Sequence, residues 1–147
     1  MMPMDLWNIR TSLRSLYTMC VEPVCRSYTI TRTELDILLF LANNPKYDTA
    51  AEISELRHLV KSHVSISLKS LEAAGYIEKT MVEGDRRRIH LKLTEAADPV
   101  VREGQKQQAA FAGIIIAGLG DEELQEFHSC LSQMEQNIKK YLEEHAR

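Results

Sequence analysis

The chain has 147 residues, enough for one ordinary domain, and its 44% hydrophobic content with only four prolines and six glycines excludes disorder and fits a globular, helix-rich protein. No apolar run reaches membrane-spanning length, and the N-terminus lacks the charged start, apolar core and cleavage site of a secretory signal, so the expectation is a cytoplasmic protein with no membrane partner. The net charge of −3 hides an asymmetry: residues 57–92 hold eight Lys or Arg against four acids, a net of +4 that leaves −7 elsewhere, and a basic patch on an acidic body suits phosphate binding through counterion release.

Leu6, Ile9, Leu13, Leu16, Cys20 and Val24 step by three and four, which predicts a first helix over about 5–28, with Pro23 kinking or shortening its end. Thr31 and Glu34 form a capping box with Ile30 as a staple on Leu35, so a second helix starts there and is ended by Asn43, Asn44 and Pro45. Thr49 and Glu52 repeat the box and open a short third helix that turns Ile53 and Leu56 inward. The fourth helix spans about 61–74 and is stopped by Gly75. Two β-patterned stretches, about 76–82 and 88–93, are joined by the polar turn 83–87 and read as a hairpin. A long helix follows from Thr94, or from Asp98 as cap with Pro99 in the first turn, to about Ala117. After the break at Gly118 and Gly120, Asp121 is expected to cap a last helix with the stripe Leu124, Phe127, Leu131, Met134, Ile138 and Tyr141.

Two striped helices at opposite ends of a short chain have too little domain between them to bury both. Pairing with a second copy is the expectation, against an intramolecular bundle. The whole chain, 1–147, is therefore expected to be one domain. Dimerisation helices lie at about 5–28 and 98–145, and a lobe at about 31–94 carries a wing at 78–93.

Helix, helix, turn, helix and hairpin is the order of a winged helix-turn-helix, a mainly α (α+β) fold whose third helix enters the major groove while the hairpin reaches the flanking minor groove. The wheel of the fourth helix supports this. Val64, Leu68 and Leu71 share a narrow inward arc, whereas Ser62, Ser65, Ile66, Lys69, Ser70 and Ala73 face outward with His63 at the edge. A solvated face would carry several long charges, while small hydroxyl and methyl residues with one lysine let the backbone approach base edges; packing against protein is the bland reading of the same face. Lys61 opens the helix. In the wing, Arg86, Arg87 and Arg88 follow Asp85, which either holds Arg87 in a bidentate pair or leaves it free for a narrow minor groove, and one arginine is expected to turn inward. A winged helix that binds only protein partners is the alternative function.

The run from Thr49 to Ala97 resembles the MarR family of bacterial regulators in its Leu-Glu-x-x-Gly at 71–75, the strand residue Ile77, Asp-x-Arg at 85–87, and Leu93-Thr94 opening the next helix. The resemblance, with its flanking terminal helices, covers nearly the whole chain. It implies a homodimer joined by its terminal helices that binds double-stranded DNA at a pseudo-palindromic operator and usually represses, and that is released by a small apolar or phenolic anion. The sequence departs from the pattern at Val60 and Lys61, where a hydroxyl cap usually stands, and at Ile66, where many relatives carry a basic residue.

For such an anion the residues near the junction of the first helix and the lobe are Arg14, Tyr17 and Tyr28, although tyrosines in such places are more often core residues. Cys20, Cys25 and Cys130 have no disulfide or zinc spacing and read as small hydrophobes. The five histidines form no i, i+4 pair, so no metal is expected, and His63 is either a base or phosphate contact or a surface residue without a role. No phosphate loop, nucleophile elbow or metal motif is present; no catalytic residue or cofactor, and no enzyme, is expected.

Overall fold

Thr31 and Glu34 start the helix on which the lobe is built. The Thr31 hydroxyl accepts from the Glu34 N–H at 3.1 Å, and the Glu34 carboxylate accepts from the Thr31 N–H at 2.8 Å, so two end donors are satisfied reciprocally. The structure, a computed structural model, describes residues 3–146, except for the side chains of residues 3, 4, 82 and 85–87. By its contacts the chain divides into two compact units, Met1–Phe111 and Ala112–Arg147.

In the first unit, α2 (Arg32–Asn43) lies in the core with Leu35, Ile37, Leu38 and Leu39 essentially without exposure. Helix α1 (Pro3–Tyr28) supplies Val21, Val24 and Cys25 to that core. Helix α1 runs through Pro23 to Tyr28, the end expected for it, so Pro23 does not shorten it; the buried residues on both sides hold the last turn in place despite the missing N–H. Leu6 and Ile9 of the expected stripe are exposed, and Leu13, Leu16 and Cys20 are half-buried.

Helix α3 (Ala50–Arg57) begins with its capping box formed, Thr49 with Glu52. Ile53 points inward as expected, but Leu56 is exposed. The inward arc of so short a helix takes Ile53 and Ser54 instead; the Ser54 hydroxyl donates to the Leu59 carbonyl at 2.7 Å, and Leu59, beyond the left-handed His58, packs on the core where Leu56 does not. Helix α4 (Lys61–Ala73) buries Val64, Ser67, Leu68 and Leu71. Gly75, at φ +79°, closes it, with the Tyr76 N–H returning to the Leu71 carbonyl at 2.9 Å.

Strands β1 (Ile77–Val82) and β2 (Asp85–Leu93) pair antiparallel from Ile77 opposite Leu93 to Met81 opposite Ile89, after which Val82 pairs with Asp85. The turn is therefore shorter than the polar stretch 83–87. Gly84, at φ +98°, satisfies a tight two-residue turn, so the strand resumes at Asp85, and the register shifts between Met81 and Val82, an irregularity that falls at the arginine run of β2. At the hairpin base, the Thr94 hydroxyl donates to the Gly75 carbonyl at 2.6 Å and the Thr94 N–H to Tyr76 at 3.0 Å. A short 3-10 turn, Glu95–Ala97, leads into α5 (Asp98–Ile116), of which Asp98 is the first residue rather than the cap. Helix α5 crosses α2 closely at Gly104, where a Cβ would stand 2.8 Å from a Leu39 methyl, so only glycine fits there without movement.

The second unit contains α6 (Asp121–His145). Gly120, not Asp121, occupies its cap position, with its N–H donating to the Glu123 carboxylate at 2.8 Å, and three acids, Asp121 to Glu123, fill the first turn. No residue of α6 is buried. No described helix is long and apolar enough to cross a membrane.

Candidate nucleic-acid interface

The outer face of α4 follows from the burial of the opposite one. With Val64, Leu68 and Leu71 in the core, Lys61, Ser62, His63, Ser65, Ile66, Lys69 and Ser70 are all exposed. Val60, in extended conformation, occupies the N-cap position and provides no side-chain hydrogen bond, so the departure seen in the sequence leaves the first-turn amides of α4 without a side-chain cap. Those amides and the adjacent Lys61 favour a phosphate at that end. Between α3, α4 and the hairpin runs a groove of about 370 Å3 whose floor includes Val64 and Leu68 and whose rim holds Lys61, Lys69 and Lys79. Lys79 is a member of this surface that the sequence reasoning left out. Its ammonium is 2.6 Å from Glu72, seven residues earlier, a pairing that becomes visible only when β1 folds back along α4.

The hairpin is fastened to the start of α3 by contacts that no local pattern announced. The Leu91 N–H donates to the Asp48 carbonyl at 2.7 Å, and His90 Nδ1 lies 2.8 Å from the Asp48 carboxylate. Asp48, just ahead of α3, thus helps to seat the wing against that helix. Its neighbour Glu52 accepts from the Thr49 hydroxyl and from the Asp48 and Thr49 N–H groups, bonds that hold its carboxyl below the ordinary value of 4.5; the Thr49 hydroxyl contributes most, burial opposes, and the Arg88 charge adds a smaller pull. Arg88, with Glu52, Glu55 and Ile89, lines a groove against α3 but stays exposed rather than turning inward. The side chains of Asp85, Arg86 and Arg87 lie outside the described residues, and with them the choice between an Asp85–Arg87 pair and a free Arg87.

The three residues named for an anion occupy different surroundings. Arg14 is exposed and lines a groove along α1 that neither Tyr17 nor Tyr28 lines. Tyr17 is half-buried and faces α2 and α5. The Arg32 guanidinium sits 4.3 Å over its ring, Gln108 donates to its hydroxyl at 3.2 Å, and Phe111 meets it edge-on. Burial pushes the Tyr17 phenol above its usual range. Arg32 in turn grips both Asp36 oxygens at 3.0 and 3.1 Å and donates to the Thr18 hydroxyl at 3.0 Å. Tyr28 packs on the core from its half-buried position. This Arg32–Tyr17–Gln108 link between α1, α2 and α5 is a second feature absent from the sequence reading, because its members lie up to 91 residues apart.

Cys25 is buried, which together with Glu22 raises its thiol pKa, whereas Cys20 is half-buried and Cys130 exposed. Among the described residues no three His, Cys, Asp or Glu side chains converge on a metal site.

Comparison with known proteins is consistent with this geometry. The model of the MarR family matches residues 28–88, the lobe and wing up to Arg88. The HTH-type transcriptional regulator PecS of Dickeya dadantii is 22% identical over 138 residues, 92% of this chain and 83% of that protein. Among solved structures, a MarR family regulator from Listeria monocytogenes, crystallised with a 26mer DNA, superposes with a TM-score of 0.79 at 15% identity over 97% of this chain and 95% of that one. A MarR regulator from Methanosarcina mazei Go1 gives 0.77 at 17% identity over 96% and 94%. At such identities the structural likenesses establish the winged helix fold.

Proposed function

We propose that this chain, which is similar to the MarR family of winged helix transcription regulators, binds double-stranded DNA as a homodimer at a pseudo-palindromic operator and represses adjoining genes in the cytoplasm. The observation that carries this reading is the exposed outer face of α4, where four serine, isoleucine and lysine positions, Ser62, Ser65, Ile66 and Lys69, stand clear of the core inside the +4 stretch and beside the hairpin. Short side chains admit the helix to the major groove. Lys61, Lys69 and the uncapped amides meet phosphates, and the arginine-bearing wing meets the flanking minor groove.

Two copies present two such helices, and half-sites about one helical turn, roughly 34 Å, apart then match a two-fold dimer. The unburied apolar stripe of α6 and the exposed Leu6, Trp7 and Ile9 at the start of α1 support dimerisation through the terminal helices, since an apolar stripe of that length is stabilised by a second apolar surface. A small apolar or phenolic anion held in the α1 groove that Arg14 lines would act as effector by altering the spacing of the recognition helices, with a coupling equal to its preference between the two spacings.

Selection of bound sequences from random duplexes at two salt concentrations tests the reading. A palindromic consensus and an affinity that falls steeply with salt are expected. Weak or salt-independent binding would overturn it in favour of a module that docks proteins. Ser65→Glu should leave the fold intact and abolish operator binding, because the new carboxylate faces the phosphates; retained binding would mean that α4 does not face DNA.

A further inference from the structure

We infer that Ile66 is a specificity-determining residue that reads the C5-methyl group of one thymine in each half-site. The inference rests on the DNA-binding reading above and deepens it. Ile66 is 66% exposed although it is a large apolar residue, and it occupies the middle of the outer face of α4, one turn from Ser62 and from Lys69 and Ser70. Neither helix stability nor the core accounts for it. A β-branched residue is a poorer helix former than alanine, and the core side of α4 is filled by Val64, Leu68 and Leu71.

Its chemistry narrows what it can meet. Isoleucine neither donates nor accepts a hydrogen bond, so in the major groove it has nothing to offer the polar edges of guanine, cytosine or adenine, whereas the thymine methyl is the one apolar group displayed there. Its first torsion is nearly fixed in a helix, so its methyls are already positioned and little rotamer freedom is lost on contact. The flanking hydroxyls of Ser62, Ser65 and Ser70 are shorter, which leaves Ile66 the farthest-reaching apolar side chain of the face. Lys61 and Lys69 stand on the same exposed surface and carry the charge that draws phosphates toward it.

Replacing thymine by deoxyuridine removes only the methyl and keeps base pairing, which isolates the contact. In the selected operator, each thymine is replaced in turn and the affinity of the full-length chain is measured alongside that of Ile66→Ala. One position per half-site should cost the wild-type chain about three- to tenfold, the worth of one buried methyl contact. In Ile66→Ala that penalty should shrink below about twofold, while other positions behave alike in the two chains. Alanine at an exposed helical site preserves the fold, which circular dichroism checks. An operator in which no thymine is sensitive, or one in which Ile66→Ala keeps the same sensitivity, overturns the inference and leaves DNA binding standing. Absence of any selected operator overturns the DNA-binding reading, and the inference with it.

Discussion

Seven of the twelve residues of α2 are buried, whereas none of the twenty-five residues of α6 is, although both helices are apolar on at least one side, α2 along the continuous run Ile37–Leu41 and α6 in a stripe at spacings of three and four. The period of a pattern records which side of a helix is apolar. It does not record what covers that side. In α2 the cover is the rest of the lobe, including α1, α4 and β2. In α6, Phe127, Leu131, Ile138 and Tyr141 are about half exposed or more, so the same physical drive is left for a second surface.

Substituting one residue in each helix separates the two cases. Leu38→Ala in α2 removes a side chain with no exposure from a filled core and should cost about 2–5 kcal/mol, read as a lowered urea midpoint with an unchanged slope. A loss under about 1 kcal/mol would mean that the α2 core is loosely packed. Leu131→Glu combined with Ile138→Glu places charge on the α6 stripe. It should leave the lobe's near-ultraviolet spectrum unchanged, convert dimer to monomer by sedimentation, and weaken operator binding at least about a hundredfold, because one lobe then engages one half-site. A variant that stays dimeric would remove α6 from the interface, and one that loses the lobe's spectrum would show that the stripe is core after all.

What was legible in the sequence follows the same division between local and distant causes. The capping boxes at Thr31–Glu34 and Thr49–Glu52, the stop at Gly75, and the inward set Val64, Leu68 and Leu71 are decided within a turn or two, and the structure has them where the pattern put them. The outer face of α4 was legible because burial of its opposite side leaves it nowhere else to go. The wing was misjudged at its turn, since a polar run of Glu, Gly, Asp and three arginines has no alternation to mark where β2 resumes. Leu56 misled because its neighbours admit it to the inward arc, yet Leu59, across the left-handed His58, fills that space. The contacts of Asp48 with His90 and Leu91, and of Tyr17 with Arg32 and Gln108, join residues that only the tertiary fold brings together.

The helix starts sharpen the contrast once more, with the smallest effect. Helices α2 and α3 each begin with a hydroxyl and a carboxylate closing on backbone N–H groups, whereas α6 begins at a glycine. The α3 box carries an acid dependence. Hydrogen bonds from Thr49 and Asp48 hold the Glu52 carboxyl below 4.5 in the folded lobe, and unfolding releases it to its ordinary value. A carboxyl with a depressed folded pKa contributes stability that is fully present above the unfolded value and is lost as pH falls through the folded one. The lobe should therefore weaken on acidification from about pH 5 downward, in part through Glu52. Other carboxylates titrate in the same window, so the informative quantity is a difference. Glu52→Gln should be slightly less stable than the wild type at pH 7 and should lose less stability between pH 7 and 3, so that the two urea midpoints converge in acid. Since Glu52 also shares a groove with Arg88, the convergence should be accompanied by looser protection of the β2 amides from hydrogen exchange at low pH in the wild type. Parallel curves for the two chains would mean that the α3 box holds through its hydroxyl alone, and that charge at Glu52 adds nothing to the seating of the wing.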